Sequence, residues 1–164
     1  MPKGVSISHG NVTNLLCTDS GNLSICPGTK VSQLFRSCLL NGGTLIVRGP
    51  SKPDWETALR PVHVVIATPT IFQCYRAVDH PAIRIVATAG EPCPRALADE
   101  WSVRKTFFNC CGPTETAIVS MTHCVKRGTS LSIGTPVPNT RVYTLDEEFR
   151  PLPLGCAPAC HWAT

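Results

Sequence analysis

A chain of 164 residues is long enough for one domain around a hydrophobic core, since domains most often run to roughly 100–150 residues. With 43% hydrophobic and 16% charged residues it is neither the hydrophobicity-poor composition of a disordered chain nor one carrying a long apolar membrane span. The net charge of +4 does not make a nucleic-acid patch, because the 15 Lys and Arg are scattered and only Arg104-Lys105 and Lys126-Arg127 are adjacent.

At the amino end, Met1-Pro2-Lys3-Gly4 leads directly into a mixed stretch with Ser6, Ser8 and His9, so no signal peptide is expected. SHGNVTNLL reads as a helix capped by Ser8, and VSQLFRSCLL at 31–40 as another, stopped by Asn41-Gly42-Gly43. TLIVR at 44–48 is a predicted strand, and Pro53-Asp54 opens a short helix through Trp55, Ala58 and Leu59. VHVVIAT at 62–68 is a continuous Val- and Ile-rich run, as expected of a strand covered on both faces. Thr68-Pro69 then starts a helix containing Ile71, Phe72 and Tyr75. RIVATAG at 84–90 is a third strand, PRALADEW at 94–101 a helix, and TFFNCC at 106–111 a fourth strand. This strand–helix alternation predicts an α/β fold with a mostly parallel sheet flanked by helices. Beyond Gly112, AIVSMTHCV and TRVYTLD have no helix between them and predict either an antiparallel β addition or part of a neighbouring sheet.

Ten cysteines in a secreted mini-protein would suggest disulfides, but most here sit in apolar runs, such as Cys38 in FRSCLL and Cys74 in IFQCY. They read as free buried thiols in a reducing, cytoplasmic setting. The competing reading is a cysteine-rich zinc or redox module. Its zinc ligands would be Cys156, Cys160 and His161, but C-x3-C-H lacks a second half, and the adjacent Cys110-Cys111 pair is poorly placed for tetrahedral zinc.

In an open α/β sheet ligands bind beyond the carboxyl ends of the strands, which singles out the loops after RIVAT and TFFNCC. The first holds Ala89-Gly90-Glu91-Pro92, where the glycine allows a flat ligand to approach the backbone. The second runs from Asn109 to Thr116 through Gly112-Pro113-Thr114-Glu115. A threonine hydroxyl can hydrogen-bond a phosphate oxygen, and a carboxylate one residue later can hold magnesium. Taken singly, each loop is also an ordinary strand exit or helix cap.

In order along the chain, MPKGVSISHGNV, NGGTLIV, ATAGEP, FFNCCGPTET and SIGTPVPNTRVYTLDEEFRPLPLG resemble the adenylate-forming enzymes, in particular the fungal-type adenylation domains of nonribosomal peptide synthetases. The resemblance implies part of the large N-terminal subdomain of such an enzyme over 1–155, with 156–164 as a non-matching tail. It implies ATP and magnesium as cofactors, an amino acid as substrate, and association with peptide-synthetase modules of secondary metabolism. Lys3 and Gly4 would end the phosphate loop. Gly90, Glu91, Asn109, Cys111 and Gly112 would line the nucleotide, Thr114 would contact the α-phosphate, and Glu115 would ligate magnesium. Ala87, Ala89, Cys110, Ile118 and Val119 would line the amino-acid pocket. No nucleic acid and no membrane are expected as partners.

The departures from the family pattern are specific. A strand and an F-D helix start, whose aspartate would hold the substrate's amino group, are missing around 33–36, where Gln33-Leu34-Phe35-Arg36 runs straight through. Cys111 stands at an aromatic position. CAPACHWAT replaces the approach to the ribose-binding motif, and the small domain with its lysine is not expected in this chain. The sequence therefore leaves two forms of the same reading open: an amino-acid-activating ligase fragment, and a remnant that folds or binds nucleotide without turnover.

Overall fold

Strands rich in Val, Ile and Phe build the centre of the molecule, because such side chains pack well on a pleated surface. The computed structural model describes residues 4–32, 35–117, 119–153 and 162–163. Its main sheet contains β1 (Lys30–Ser32), β2 (Thr44–Ile46), β3 (Val64–Ala67), β4 (Ile85–Thr88), β5 (Thr106–Cys111), β6 (Met121–Val125) and β7 (Thr135–Pro136). The spatial order is β2-β1-β3-β4-β5-β6-β7. The first five strands are mutually parallel, and β6 and β7 add antiparallel to β5, as the loss of alternation beyond Gly112 predicts. The segment around 140–146 leaves this sheet: β8 (Tyr143–Thr144) pairs antiparallel with β9 (Trp162–Ala163).

Strand alternation sorts the core into two faces. Val65, Val86 and Phe107 point to one side, where α4 (Lys52–Leu59), α5 (Pro69–Phe72) and α6 (Arg95–Ser102) supply Trp55, Leu59, Phe72, Leu97 and Trp101. Val31, Val64, Ile85 and Ala87 point to the other, against Leu23, Ile25 and Cys38 of α3 (Phe35–Leu40). Both faces are covered, which is why VHVVIAT reads as a continuous apolar run. The rings of Phe72 and Trp101 meet edge to face with centroids 5.2 Å apart.

Three expectations are corrected. Residues 31–40 do not form one helix, because Lys30–Ser32 pair with β2 on one side and Val31 and Ser32 with β3 on the other. The missing segment expected near 33–36 falls at Gln33 and Leu34, which lie outside the described residues. The helix begun at Pro69 stops at Phe72, and the chain tightens there into i→i+3 bonds from Cys74 N–H to the Ile71 carbonyl and from Tyr75 N–H to the Phe72 carbonyl. Among the described cysteines, all free, Cys38 is buried but Cys74 is exposed.

α1 (His9–Cys17) begins as the sequence predicts, with the Asn11 N–H donating to the Ser8 hydroxyl oxygen at 3.2 Å. Among the described residues no helix is long and apolar enough to cross a membrane.

Candidate functional site

The carboxyl ends of β4 and β5 open into a cleft of about 560 Å³ lined by Gly90, Glu91, Pro92, Cys93, Asn109, Cys110, Cys111, Gly112, Pro113 and Ile133. β4 ends at Thr88, and Gly90 adopts φ +87°, a conformation that turns the chain away and that a side chain would strain. Glu91 is held to the side: its carboxylate accepts from the Thr70 N–H at 3.1 Å and from the Thr70 hydroxyl at 2.5 Å. These bonds to Thr70 hold the Glu91 carboxyl below the usual carboxylate range. The Glu91 charge is thus tied to the first turn of α5.

The opposite wall depends on Asn109. Its side chain is buried and donates to the Ser132 carbonyl at 2.8 Å, tying the end of β5 to the loop that carries Ile133. The next residue, Gly134, has φ +84° and lies so close to β6 that a Cβ would stand 1.9 Å from the Thr122 carbonyl oxygen. Only glycine lets this loop press onto the sheet and bring Ile133 across the cleft.

Past Pro113 the chain makes one tight turn over Thr114–Thr116, which ends at Ala117 with φ 60°. Thr116 is anchored by its hydroxyl, which donates to the Pro113 carbonyl at 3.1 Å. The side chains of Thr114 and Glu115 are exposed and have no hydrogen-bond or ion-pair partner among the described residues. A free hydroxyl and a free carboxylate therefore stand immediately beyond Gly112 and Pro113 of the cleft wall. Magnesium is commonly held by one or two carboxylates together with substrate phosphates, so a single unpaired carboxylate here fits that ion. Among the described residues no cluster of three His, Cys, Asp or Glu could hold a metal by itself; Cys156, Cys160 and His161 lie outside them.

The structure divides the residues expected to line an amino-acid pocket. Cys110 lies in the cleft wall with its sulfur 3.7 Å from the Thr122 hydroxyl, and burial pushes its thiol up. Ala87 is 2% exposed in the core beneath the sheet, and Ala89 sits half-buried at the strand exit. Val119 lines a different cavity, of about 260 Å³, with Asn11 and Asn14 of α1 and with Thr116, Asn139 and Thr140. There the Asn14 amide donates to the Pro138 carbonyl at 2.8 Å, and the Asn139 amide donates to Asn14 at 2.7 Å. Gly4 is exposed with nothing near it and lines neither cavity, whereas Lys3 and Ile118 lie outside the described residues. Cys93 and Ile133 are the cleft residues that sequence reasoning did not name. Ile133 carries a signal nonetheless, as an apolar residue directly before a glycine in a turn-rich segment.

Residues 1–157 match the model of the AMP-binding enzyme family. The chain is 42% identical over 165 residues to adenylate-forming reductase 03009 of Coprinopsis cinerea, covering 94% of this chain and 16% of the reductase. It is 30% identical over 166 residues to nonribosomal peptide synthetase 5 of Aspergillus fumigatus, covering 94% of this chain and 7% of the synthetase. A solved structure of the nonribosomal peptide synthetase FmoA3, in its α-methyl-L-serine-AMP bound form, shares the fold with a TM-score of 0.79 at 22% identity, over 93% of this chain and 21% of that one. The chain thus spans a small part of the relatives it matches.

Proposed function

The chain belongs to the AMP-binding enzyme family, and from that premise we propose that residues 1–155 are part of an adenylation domain whose cleft takes ATP with magnesium and activates an amino-acid carboxylate as an acyl-adenylate. The observation that carries this reading is that Gly90, Glu91, Asn109, Cys110, Cys111 and Gly112, from two separate strand ends, line one cleft, with Thr114 and Glu115 free beside it.

In the proposed reaction a carboxylate oxygen bonds to the α-phosphorus, and the bond from that phosphorus to the pyrophosphate oxygen breaks. The adenine lies along the backbone at Gly90 and Glu91 and against Cys111 and Gly112. The Thr114 hydroxyl donates to an α-phosphate oxygen, and the Glu115 carboxylate holds magnesium, which when bound neutralises phosphate charge. Asn109 acts through its bond to Ser132, keeping Ile133 over the cleft. Lys3 and Gly4 extend the site as the end of a phosphate loop. Positioning and charge neutralisation are the protein's part, and no covalent nucleophile is required. The acid is held among Ala87, Ala89, Cys110, Ile118 and Val119. A cytoplasmic setting and association with peptide-synthetase modules belong to the same reading.

A second reading, nucleotide binding without turnover, is favoured by one observation: Cys110 lines the cleft, whereas Val119 lines the cavity beside α1 and Ala87 packs in the core. Calorimetry with ATP and magnesium on the chain and on Glu115→Ala tests the shared part. Saturable binding that weakens in the variant supports both readings, and acid-dependent exchange of pyrophosphate into ATP then separates ligase from binder. A folded chain without ATP binding removes both.

A further inference from the structure

Beyond the carboxyl ends of β2 and β3 lies a cavity of about 370 Å³ lined by Arg48, Pro50, Trp55, Ile71, Cys74 and Tyr75. It shares no lining residue with the cleft at the ends of β4 and β5, and the adenylation reading gives none of these side chains a role. Local chemistry builds both walls. Arg48-Gly49-Pro50 carries the chain out of β2, and the capping box of Ser51 and Asp54 starts α4 so that Trp55 falls in its first turn, 8% exposed. Opposite, the i→i+3 bonds that follow α5 wind the chain tightly, and residues three apart then eclipse, which sets Ile71 over Cys74 with Tyr75 beside them. The rings of Trp55 and Tyr75 are 19° from parallel with centroids 6.3 Å apart, and the Arg48 guanidinium carbon lies 3.7 Å from the centroid of the Trp55 ring.

Arg48 is the group that selects a ligand. Among the described residues it makes no ion pair and one long hydrogen bond, from Nη1 to the Gly49 carbonyl at 3.5 Å. A guanidinium resting on an indole is oriented by the ring while its in-plane N–H fork stays open, the arrangement that grips a carboxylate through two parallel bonds. The Tyr75 hydroxyl has no hydrogen-bond partner among the described residues and is free to donate as well. Glu56, the carboxylate whose charge reaches Tyr75, does not line the cavity. The described wall thus holds one cation and no carboxylate, which matches a single negative charge and leaves a dianion such as a phosphate monoester unbalanced. Pro50, Trp55, Ile71 and Tyr75 make the rest of the wall apolar and largely aromatic, so the body of the ligand is flat and apolar.

We propose that this cavity is a second small-molecule site, one that takes an aromatic monocarboxylate with its carboxylate on Arg48 and its ring against Trp55 and Tyr75. The volume lies in the lower part of the range of small-ligand pockets, roughly 300–1,000 Å³, and suits one or two fused rings. The site stands apart from the nucleotide reading, because a chain that binds no ATP would still present it.

Naphthoate is the probe, titrated by calorimetry while the indole N–H signal of Trp55 is followed by NMR. Expected is saturable binding that shifts the Trp55 signal. Naphthylmethanol, the same ring without the charge, should bind at least about tenfold more weakly, and Arg48→Gln should weaken naphthoate by a similar factor while leaving naphthylmethanol unchanged. Arg48→Lys, which keeps the charge but not the fork, should fall between the two. Cys74→Trp, at an exposed position of the wall, fills the cavity and should abolish naphthoate binding, with a melting curve confirming that the chain still folds. Naphthoate binding that Arg48→Gln leaves unchanged overturns the proposal, as does a failure to saturate at millimolar concentration. Equal affinity for naphthylmethanol also overturns it and assigns the cavity to an apolar partner. Displacement of naphthoate by ATP places the probe in the nucleotide cleft instead, and self-association of the native chain that Cys74→Trp abolishes assigns the cavity to a second copy; either result sinks the site.

Discussion

Glu115 and Thr114 are exposed with no side-chain partner among the described residues, so replacing either removes no contact seen there. Glu115→Ala is expected to leave thermal stability within about 0.5 kcal/mol while weakening ATP·magnesium binding by about tenfold or more, which is about 1.4 kcal/mol. A melting curve and a calorimetric titration on the same sample check both halves. Glu91 behaves oppositely, because its carboxylate, though exposed, accepts two hydrogen bonds from Thr70. Its folded value lies below its ordinary value near 4.5, so its contribution to stability is complete above pH 4.5 and is lost as the pH falls through the folded value. Glu91→Gln should flatten that acid limb in denaturant titrations; an unchanged limb would mean that the Thr70 bonds do not form in solution. Thr114 and Glu115 were legible in the sequence because a hydroxyl and a carboxylate beyond Gly-Pro combine turn chemistry with ligand chemistry. Cys93 and Ile133 were not, because their place in the cleft depends on how Asn109 and Gly134 draw distant loops together, and no local pattern encodes that.

The elements that were read correctly are those with a strong start signal. Ser8 caps α1, and Ser51 and Asp54 form a reciprocal capping box at the head of α4, where the Ser51 N–H donates to the Asp54 carboxylate at 3.1 Å. Ser8→Ala is expected to cost about 0.5–2 kcal/mol, seen as a lower denaturant midpoint with an unchanged slope. The element misread was β1, since three residues are too few for alternation to show, and VSQLF followed by RSCLL satisfies a helical pattern as well. What decides it is tertiary: Val31, fully buried, is flanked by two partner strands that a one-chain pattern does not reveal. The short α5 has the same cause, because Pro69 marks a helix start convincingly but nothing in the sequence marks the stop at Phe72.

For the whole molecule, the class of fold followed from the strand–helix alternation, and the antiparallel addition from the point where that alternation ends. The order of the outer strands did not follow, because β1 precedes β2 in the chain yet sits between β2 and β3. That order bears on how the protein opens. β3, β4 and β5 are consecutive both in the chain and in space, and they carry fully buried Val64, Val86 and Phe107. β2 has a single partner in the main sheet, and its three residues are at most half-buried. Backbone amides should therefore exchange with deuterium in a gradient across the sheet, fastest in β2, slower in β1, and slowest in β3 to β5. The first partial unfolding event would release residues 30–46 as a unit and leave the cleft at the ends of β4 and β5 intact, so that nucleotide slows exchange in β4 and β5 without protecting β2.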